Sequence, residues 1–161
     1  MKVFVTVGTT EFDELIRIVD SDEALDALSK GGSFSVLSQI GKGKFEPSHC
    51  QWYRFKSSLS EDIASADLVI THAGAGSILQ CVRDYSKMTI AVINPSLMDN
   101  HQDELASAMQ EEGYLIACYP KDLISEIGKV FNRTLKKYPI QDQTKLMDLF
   151  VSELENCKRN L

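Results

Sequence analysis

Basic residues are in the minority, with 17 lysines and arginines against 23 aspartates and glutamates and a net charge of −6. Such a chain has no positive field to gather a nucleic-acid backbone, so nucleic acid is not an expected partner and any anionic ligand must be held by local donors. Long hydrophobic runs are missing too. No stretch approaches ~18 uninterrupted apolar residues, so no membrane-spanning helix is expected. The apolar opening, Met1 to Gly8, is broken by glycine and followed by Glu11, Asp13 and Glu14, which reads as a buried strand rather than a signal peptide. Cysteine is sparse: Cys50, Cys81, Cys118 and Cys157 are far apart and form no CxxC pair. They are expected to be reduced, mostly buried thiols of a cytosolic protein. The three histidines, His49, His72 and His101, lack zinc-site spacing.

Several catalytic signatures are likewise absent. There is no GxSxG, which excludes the hydrolase nucleophile elbow. "IGKGK" at Ile40–Lys44 lacks the GxxxxGK[ST] order of a nucleoside-triphosphate loop. GxGxxG fails because Gly74-Ala-Gly76 is followed by Ser77, Ile78 and Leu79. Asp20-Ser-Asp22 imitates a metal-binding DxD but lies within or between helical segments, where Ser21 or Asp22 serves more simply as a helix cap. No metal and no cofactor are expected.

What is present is strand–helix alternation. The 161 residues, 43% apolar and 25% charged, suit one globular domain with its own core. Strands are predicted at Val3–Val7, Phe34–Ser38, Gln51–Phe55, Asp67–Thr71, Thr89–Ile93 and Tyr114–Cys118. "DLVIT", "TIAVI" and "YLIAC" are apolar with almost no alternation, as strands covered on both faces must be. Helices are predicted at Phe12–Leu28, in one or two pieces, and at Glu61–Ser65, Ser77–Tyr85 and Gln102–Glu112. This order predicts the α/β class: one parallel sheet of about six strands flanked by helices.

The C-terminal third differs. Leu123, Ile124, Ile127, Val130 and Phe131 recur at helical spacing, and Pro139 ends that element. A further helix from about Gln143 carries Leu146, Met147, Leu149, Phe150, Val151 and Leu154, a broader stripe than one packed face needs. It either returns across the sheet or offers its excess apolar surface to another chain. The chain thus divides into a domain at 1–138 and a C-terminal helix at 139–161, the latter a candidate partner-docking element.

Three loops can carry chemistry. In "ITHAGAGSILQ", Ile70–Gln80, a strand ends in a bare turn and a helix follows at once. Ligands of open parallel sheets sit beyond the carboxyl ends of the strands, where a helix N-terminus offers unpaired amides to a phosphate. Gly74 and Gly76 lack Cβ atoms, so the backbone can turn left-handed and approach a ligand; Ser77 can cap the helix or donate its hydroxyl. Val5–Thr10 repeats the theme, with Gly8, Thr9 and Thr10 before the first helix. Two such loops on one edge suit a diphosphate, although ordinary turn chemistry also selects these residues. After the strand "TIAVI", Asp99, Asn100, His101 and Gln102 gather donors and acceptors where a helix begins; one of them is explained as a cap, four together suit a hydroxyl-rich ligand such as a sugar.

"VFVTVGTTEFDELI", "DLVITHAGAGSILQ" and "NPSLMDNHQDELA" together closely resemble the donor-binding small subunits of eukaryotic UDP-N-acetylglucosamine transferases of lipid-linked oligosaccharide synthesis. These are glycosyltransferase family 28-like proteins, similar to the C-terminal half of the bacterial peptidoglycan N-acetylglucosaminyltransferase. The resemblance runs from Met1 to about Tyr119, with the motifs in the same order. It implies a Rossmann-like domain equivalent to one half of a GT-B enzyme split over two polypeptides. The donor would be UDP-GlcNAc. A membrane-anchored partner subunit would bring the acceptor, dolichyl-diphosphate-GlcNAc, at the cytosolic face of the endoplasmic reticulum, and a second GlcNAc would be added in β1,4 linkage. By the resemblance, Gly8, Thr9 and Thr10 form the first diphosphate loop, and Gly74, Ala75, Gly76 and Ser77 the second. Phe55 falls where a backbone reads uracil, and His101 and Gln102, beside Asn100, where paired glutamines contact the sugar. His72 either donates to the diphosphate or orients the turn. Gln80 departs from the pattern, standing where the bacterial enzyme has a glutamate on the ribose hydroxyls. The segment between Phe45 and Trp52 is also short.

Physical reasoning supports half a site. Transfer needs donor and acceptor held in line with water excluded, and a single sheet edge leaves the far side of the sugar open. The acceptor and the general base are therefore expected from the partner. This chain would stabilise departing UDP through helix N-termini and hydroxyls, without an obligatory metal, and C1 would be inverted by one displacement. Two other readings compete: a stand-alone nucleotide-sugar-binding module, and an epimerase sharing the GT-B architecture, which would need both halves of the cleft.

Overall fold

The computed structural model describes residues 1–96 and 101–139, and at 101 and 102 the backbone alone. Six strands form one sheet: β1 (Lys2–Thr6), β2 (Ser35–Gln39), β3 (Gln51–Tyr53), β4 (Leu68–His72), β5 (Met88–Val92) and β6 (Ile116–Cys118). Their order is β3-β2-β1-β4-β5-β6, and every neighbouring pair is parallel. Parallel pairing requires each connection to cross a face of the sheet, so the strands are covered on both sides. Alternate residues accordingly enter opposite layers. Val3, Val5, Leu68, Ile70, Ile90 and Val92 pack with the helices α1 (Asp13–Val19), α2 (Asp22–Ser29) and α6 (Leu123–Val130). Phe4, Val69 and Ala91 face the other layer, built by α3 (Ser60–Ser65), α4 (Ala75–Leu79) and α5 (His101–Glu111).

The predicted element at Phe12–Leu28 is two helices. Ser21 caps the second, its hydroxyl accepting the amide of Ala24 at 3.3 Å, as one of the two cap alternatives had it. Asp20 has a structural use. Its buried carboxylate accepts the amides of Ser48 at 2.9 Å and His49 at 2.8 Å, fastening the short segment before β3. The predicted helix over Ser77–Tyr85 begins earlier, at Ala75, and after Leu79 widens into a π-helical turn, Gln80–Asp84. It stops where Ser86 takes a φ of 50° and the amide of Lys87 donates to the Cys81 carbonyl. β3 is shorter than predicted, because the ladder to β2 ends where Gln39 faces Tyr53.

Cys81 and Cys118 are buried free thiols and Cys50 is half-buried; burial raises all three, Cys81 and Cys118 to about 12. Cys157 and the whole predicted helix from Gln143 lie outside the described residues. Among the described residues no helix is long and apolar enough to cross a membrane, and no three His, Cys, Asp or Glu side chains cluster as metal ligands.

Candidate functional site

The strand order reverses between β1 and β4, since their connections run to opposite halves of the sheet. A crevice opens beyond the carboxyl ends of the strands at such a switch point, and it is where ligands of open α/β sheets bind. The two glycine turns singled out in the sequence follow these two strands. They are brought together by pairing of Thr6 with Thr71 at adjacent strand ends.

After β1, Gly8 takes a φ of +62°, and its amide donates to the Thr6 hydroxyl at 3.1 Å. The Thr10 hydroxyl donates to the Val7 carbonyl at 2.8 Å, so it is engaged in shaping the turn. Thr9 stands exposed at the tip.

After β4, the turn departs from the expectation of a left-handed glycine pair. Gly74 has φ −72° and ψ 131°, and Gly76 lies within the helix. Gly74, not Ser77, is the cap residue, and no side chain caps this helix. The first helical hydrogen bond runs from Ile78 to the Gly74 carbonyl at 3.0 Å. The amides of Ala75, Gly76 and Ser77 precede it, and a helix start leaves such amides without intrahelical partners. The reasons for the two glycines differ. A Cβ on Gly74 would collide with the His72 ring, whereas one on Gly76 would meet nothing within 4 Å. Protein packing therefore does not require glycine at position 76, and it leaves open space beside exposed amides.

His72 joins the two turns. Its ring fills the gap between Gly8 and Gly74, and a Cβ on Gly8 would come within 2.7 Å of Cε1. The residue is 8% exposed, and Nδ1 is buried with no hydrogen-bond partner. Burial pushes the imidazole below its ordinary pKa, against a smaller opposing pull from the Thr6 backbone. A buried polar nitrogen without a partner is uncommon and costs roughly 1–3 kcal/mol.

Beside these turns lies a cavity of about 320 Å3 lined by Gly8, Thr9, Gln39, Phe55, Gln80 and the segment 56–59. It unites four residues assigned from sequence on three separate motifs. Phe55 is 53% exposed at its mouth. The segment around it is anchored by Asp62, which accepts the Tyr53 hydroxyl at 2.5 Å and Lys56 Nζ at 2.9 Å. The Gln80 amide donates to the Ser60 hydroxyl at 3.3 Å. Two further residues carried no sequence signal. Gln39, buried, donates to the carbonyls of Gly8 and Arg54. Asp13 accepts the amides of Lys44 and Phe45 and holds the "IGKGK" loop, whose Gly41 packs on the backbone of Thr10 and Gly8.

The third motif is only partly within view. Asn100 lies outside the described residues, and His101 and Gln102 open α5 as predicted for a helix start. That first turn is tied to the end of β6, because Tyr119 donates to Asp103 at 2.9 Å. Asn94 shapes the preceding turn by accepting from Ser96.

Comparison with known proteins agrees with this geometry. Residues 2–154 match the glycosyltransferase family 28 C-terminal domain. The chain is 46% identical over 123 residues to the UDP-N-acetylglucosamine transferase subunit ALG13 of Homo sapiens, covering 72% of this chain but 11% of that protein. It is 34% identical over 137 residues to the subunit of the same name in Yarrowia lipolytica, covering 79% of this chain and 69% of that one. It thus spans about a tenth of the human relative's length and about two thirds of the fungal one's. The NMR solution structure of ALG13 superposes with a TM-score of 0.66 at 27% identity, over 86% of this chain and 89% of that one. MurG of Acinetobacter baumannii shares the fold, with a TM-score of 0.57 at 16% identity over 81% of this chain and 40% of that one. A parallel sheet whose switch point is lined by glycine turns, matched over nearly its whole length, makes this chain a member of the glycosyltransferase family 28 C-terminal domain family.

Proposed function

We propose that the chain is the donor-binding subunit of a heteromeric N-acetylglucosaminyltransferase. It would bind UDP-GlcNAc and, with a membrane-anchored partner, transfer GlcNAc to dolichyl-diphosphate-GlcNAc. The observation that carries this reading is the convergence at one switch point of two glycine turns, a buried imidazole between them, and the adjoining cavity at Phe55 and Gln80. A diphosphate suits the free amides at Ala75–Ser77 and the left-handed turn at Gly8; a nucleoside suits the cavity. The buried His72 ring lies against both turns, and it is the donor we assign to the diphosphate. The first turn of α5, with His101 and Gln102, is assigned to the sugar.

In the reaction, the acceptor's 4-hydroxyl oxygen attacks C1 of GlcNAc, forming the β1,4 bond as the C1–O bond to UDP breaks. The bonding pair leaves with UDP, whose added charge falls on the amides of the two turns. The hydroxyl proton passes to a general base that we place on the partner, which also closes the open side of the site. Residues 139–161 are our candidate docking element, and the complex would work at the cytosolic face of the endoplasmic reticulum.

The test is transfer from UDP-GlcNAc to a dolichyl-diphosphate-GlcNAc analogue, with and without the membrane subunit. Transfer is expected only with both chains. Ser77→Ala and His101→Ala should each lower it about tenfold, the loss of one charge-assisted hydrogen bond. Wild-type rates in both variants would remove the site assignment. A chain truncated after Pro139 that still binds the membrane subunit would remove the docking assignment.

A further inference from the structure

The two walls of the cavity belong to different strands and have no direct hydrogen bond to each other among the described residues. One side chain spans them. Gln39, the last residue of β2, lies beside Thr6 of β1 on one flank and Tyr53 of β3 on the other, and is 2% exposed. Its Nε2 donates to the Gly8 carbonyl at 2.7 Å and to the Arg54 carbonyl at 2.6 Å, while its Oε1 accepts the Thr6 hydroxyl at 2.5 Å. The same hydroxyl oxygen accepts the Gly8 amide at 3.1 Å. Two carbonyl neighbours can be served only by the NH2 end of the amide, so its orientation is fixed by its surroundings. Both donors are used, and the residues joined stand next to Thr9 on one wall and Phe55 on the other.

We infer that Gln39 is a positioning residue: it sets the spacing between the Gly8 turn and the Arg54–Phe55 segment, and thereby the fit of a ligand whose diphosphate and nucleoside ends rest on the two. The assignment of those ends rests on the function proposed above; the mechanical link does not. Backbone hydrogen bonds past the ladder also join the two sides through the 41–42 loop, where Gly41 donates to the Arg54 carbonyl at 3.2 Å and Lys42 to the Thr10 carbonyl at 3.0 Å, but neither reaches Gly8. A buried amide with two donors in use resists changes in that gap more than a single hydrogen bond does, since moving either wall strands one of its own buried N–H donors. Methionine fills nearly the same volume without any donor, and glutamate keeps the acceptor while losing both donors.

The test is kinetic, on the full chain assembled with its membrane partner. Gln39→Met is expected to raise the KM for UDP-GlcNAc about tenfold, with kcat and the acceptor KM within about twofold of wild type. Thr6→Val, which leaves both amide donors in place, should raise the donor KM only about threefold. A purely structural role would lower the amount of active enzyme, and so kcat, at an unchanged donor KM; that result overturns the inference. If Gln39→Met does not fold, Thr6→Val decides alone, and a wild-type donor KM there overturns it. Amide hydrogen exchange on the full chain without substrate is the second arm. In Gln39→Met, or in Thr6→Val if needed, the amides of Thr9 and Phe55 should exchange faster together, and acceleration of one alone overturns the link. If wild type transfers nothing from UDP-GlcNAc while the two amides remain coupled, the function proposed above fails and the mechanical link survives.

Discussion

The His72 imidazole occupies the volume that a side chain on Gly74 would need, with Nε2 lying where the added Cβ would fall. It also comes within 2.7 Å of a Cβ on Gly8, so one ring crowds a glycine in each turn. The two positions nevertheless differ, because Gly8 has a positive φ and Gly74 does not.

That difference is measurable. Gly74→Ala should destabilise the chain by about 1–3 kcal/mol through overpacking. In a His72→Ala background most of that loss should vanish. Gly8→Ala should retain about 1–2 kcal/mol of its loss in the same background, because the left-handed backbone penalty remains. Urea midpoints of wild type, the three single variants and the two double variants check this, and equal rescue of both glycines would contradict it.

Burial lowers the pKa of His72 in the folded chain below the unfolded value of about 6.5. Between the two values the unfolded state binds more protons, so folding stability rises with pH there. The contribution is fully present above the unfolded pKa and is lost as pH falls through the folded one. Wild type should therefore lose more stability than His72→Gln when pH drops from 7.5 to 5. Parallel losses in the two proteins would show that His72 is not the linked group.

Gln80, which we propose meets the nucleoside, would offer it one carbonyl oxygen, its NH2 being directed to Ser60. Gln80→Glu would supply two equivalent acceptors, and the Ser60 hydroxyl can donate to a carboxylate as it now accepts from the amide. UDP should bind about 3–10-fold more tightly to the variant in calorimetry. The gain should disappear with 2′-deoxy-UDP.

Asp13 acts on the site from a distance. Its carboxylate accepts two loop amides, and Gly43 is pressed against it. Asp13→Ala should cost about 1 kcal/mol, the net worth of hydrogen bonds to a partly exposed loop, and should speed exchange at Lys44 and Phe45 before any other strand-end loop. Unchanged exchange at both positions would show that the backbone holds the loop alone.

The resemblance and the hydrophobic pattern reached most of the fold. Leu68–Thr71 and Thr89–Val92 are apolar on both faces because both faces are covered, and that need writes itself into consecutive residues. "QWYRF" misled over its last two residues, since alternation continues through Phe55 while the ladder stops at Tyr53. In the site, the glycine turns were visible as glycines, but the reason for Gly74 was not. Left-handed backbone and a neighbour's ring select the same residue, and only coordinates tell them apart. Gln39 and Asp13 were invisible for another reason. Their partners at Gly8 and Lys44 are 31 residues away, and no local spacing encodes a contact made by strand order.

Sequence alone determined the class of the chain, its parallel sheet and the turns that end β1 and β4, because burial periodicity and turn stereochemistry act over a few residues at a time. Tertiary structure decided what those turns became. It placed them side by side at the switch point, set His72 between them, and tied the cavity walls together through Gln39, all of which depend on the order in which strands pair.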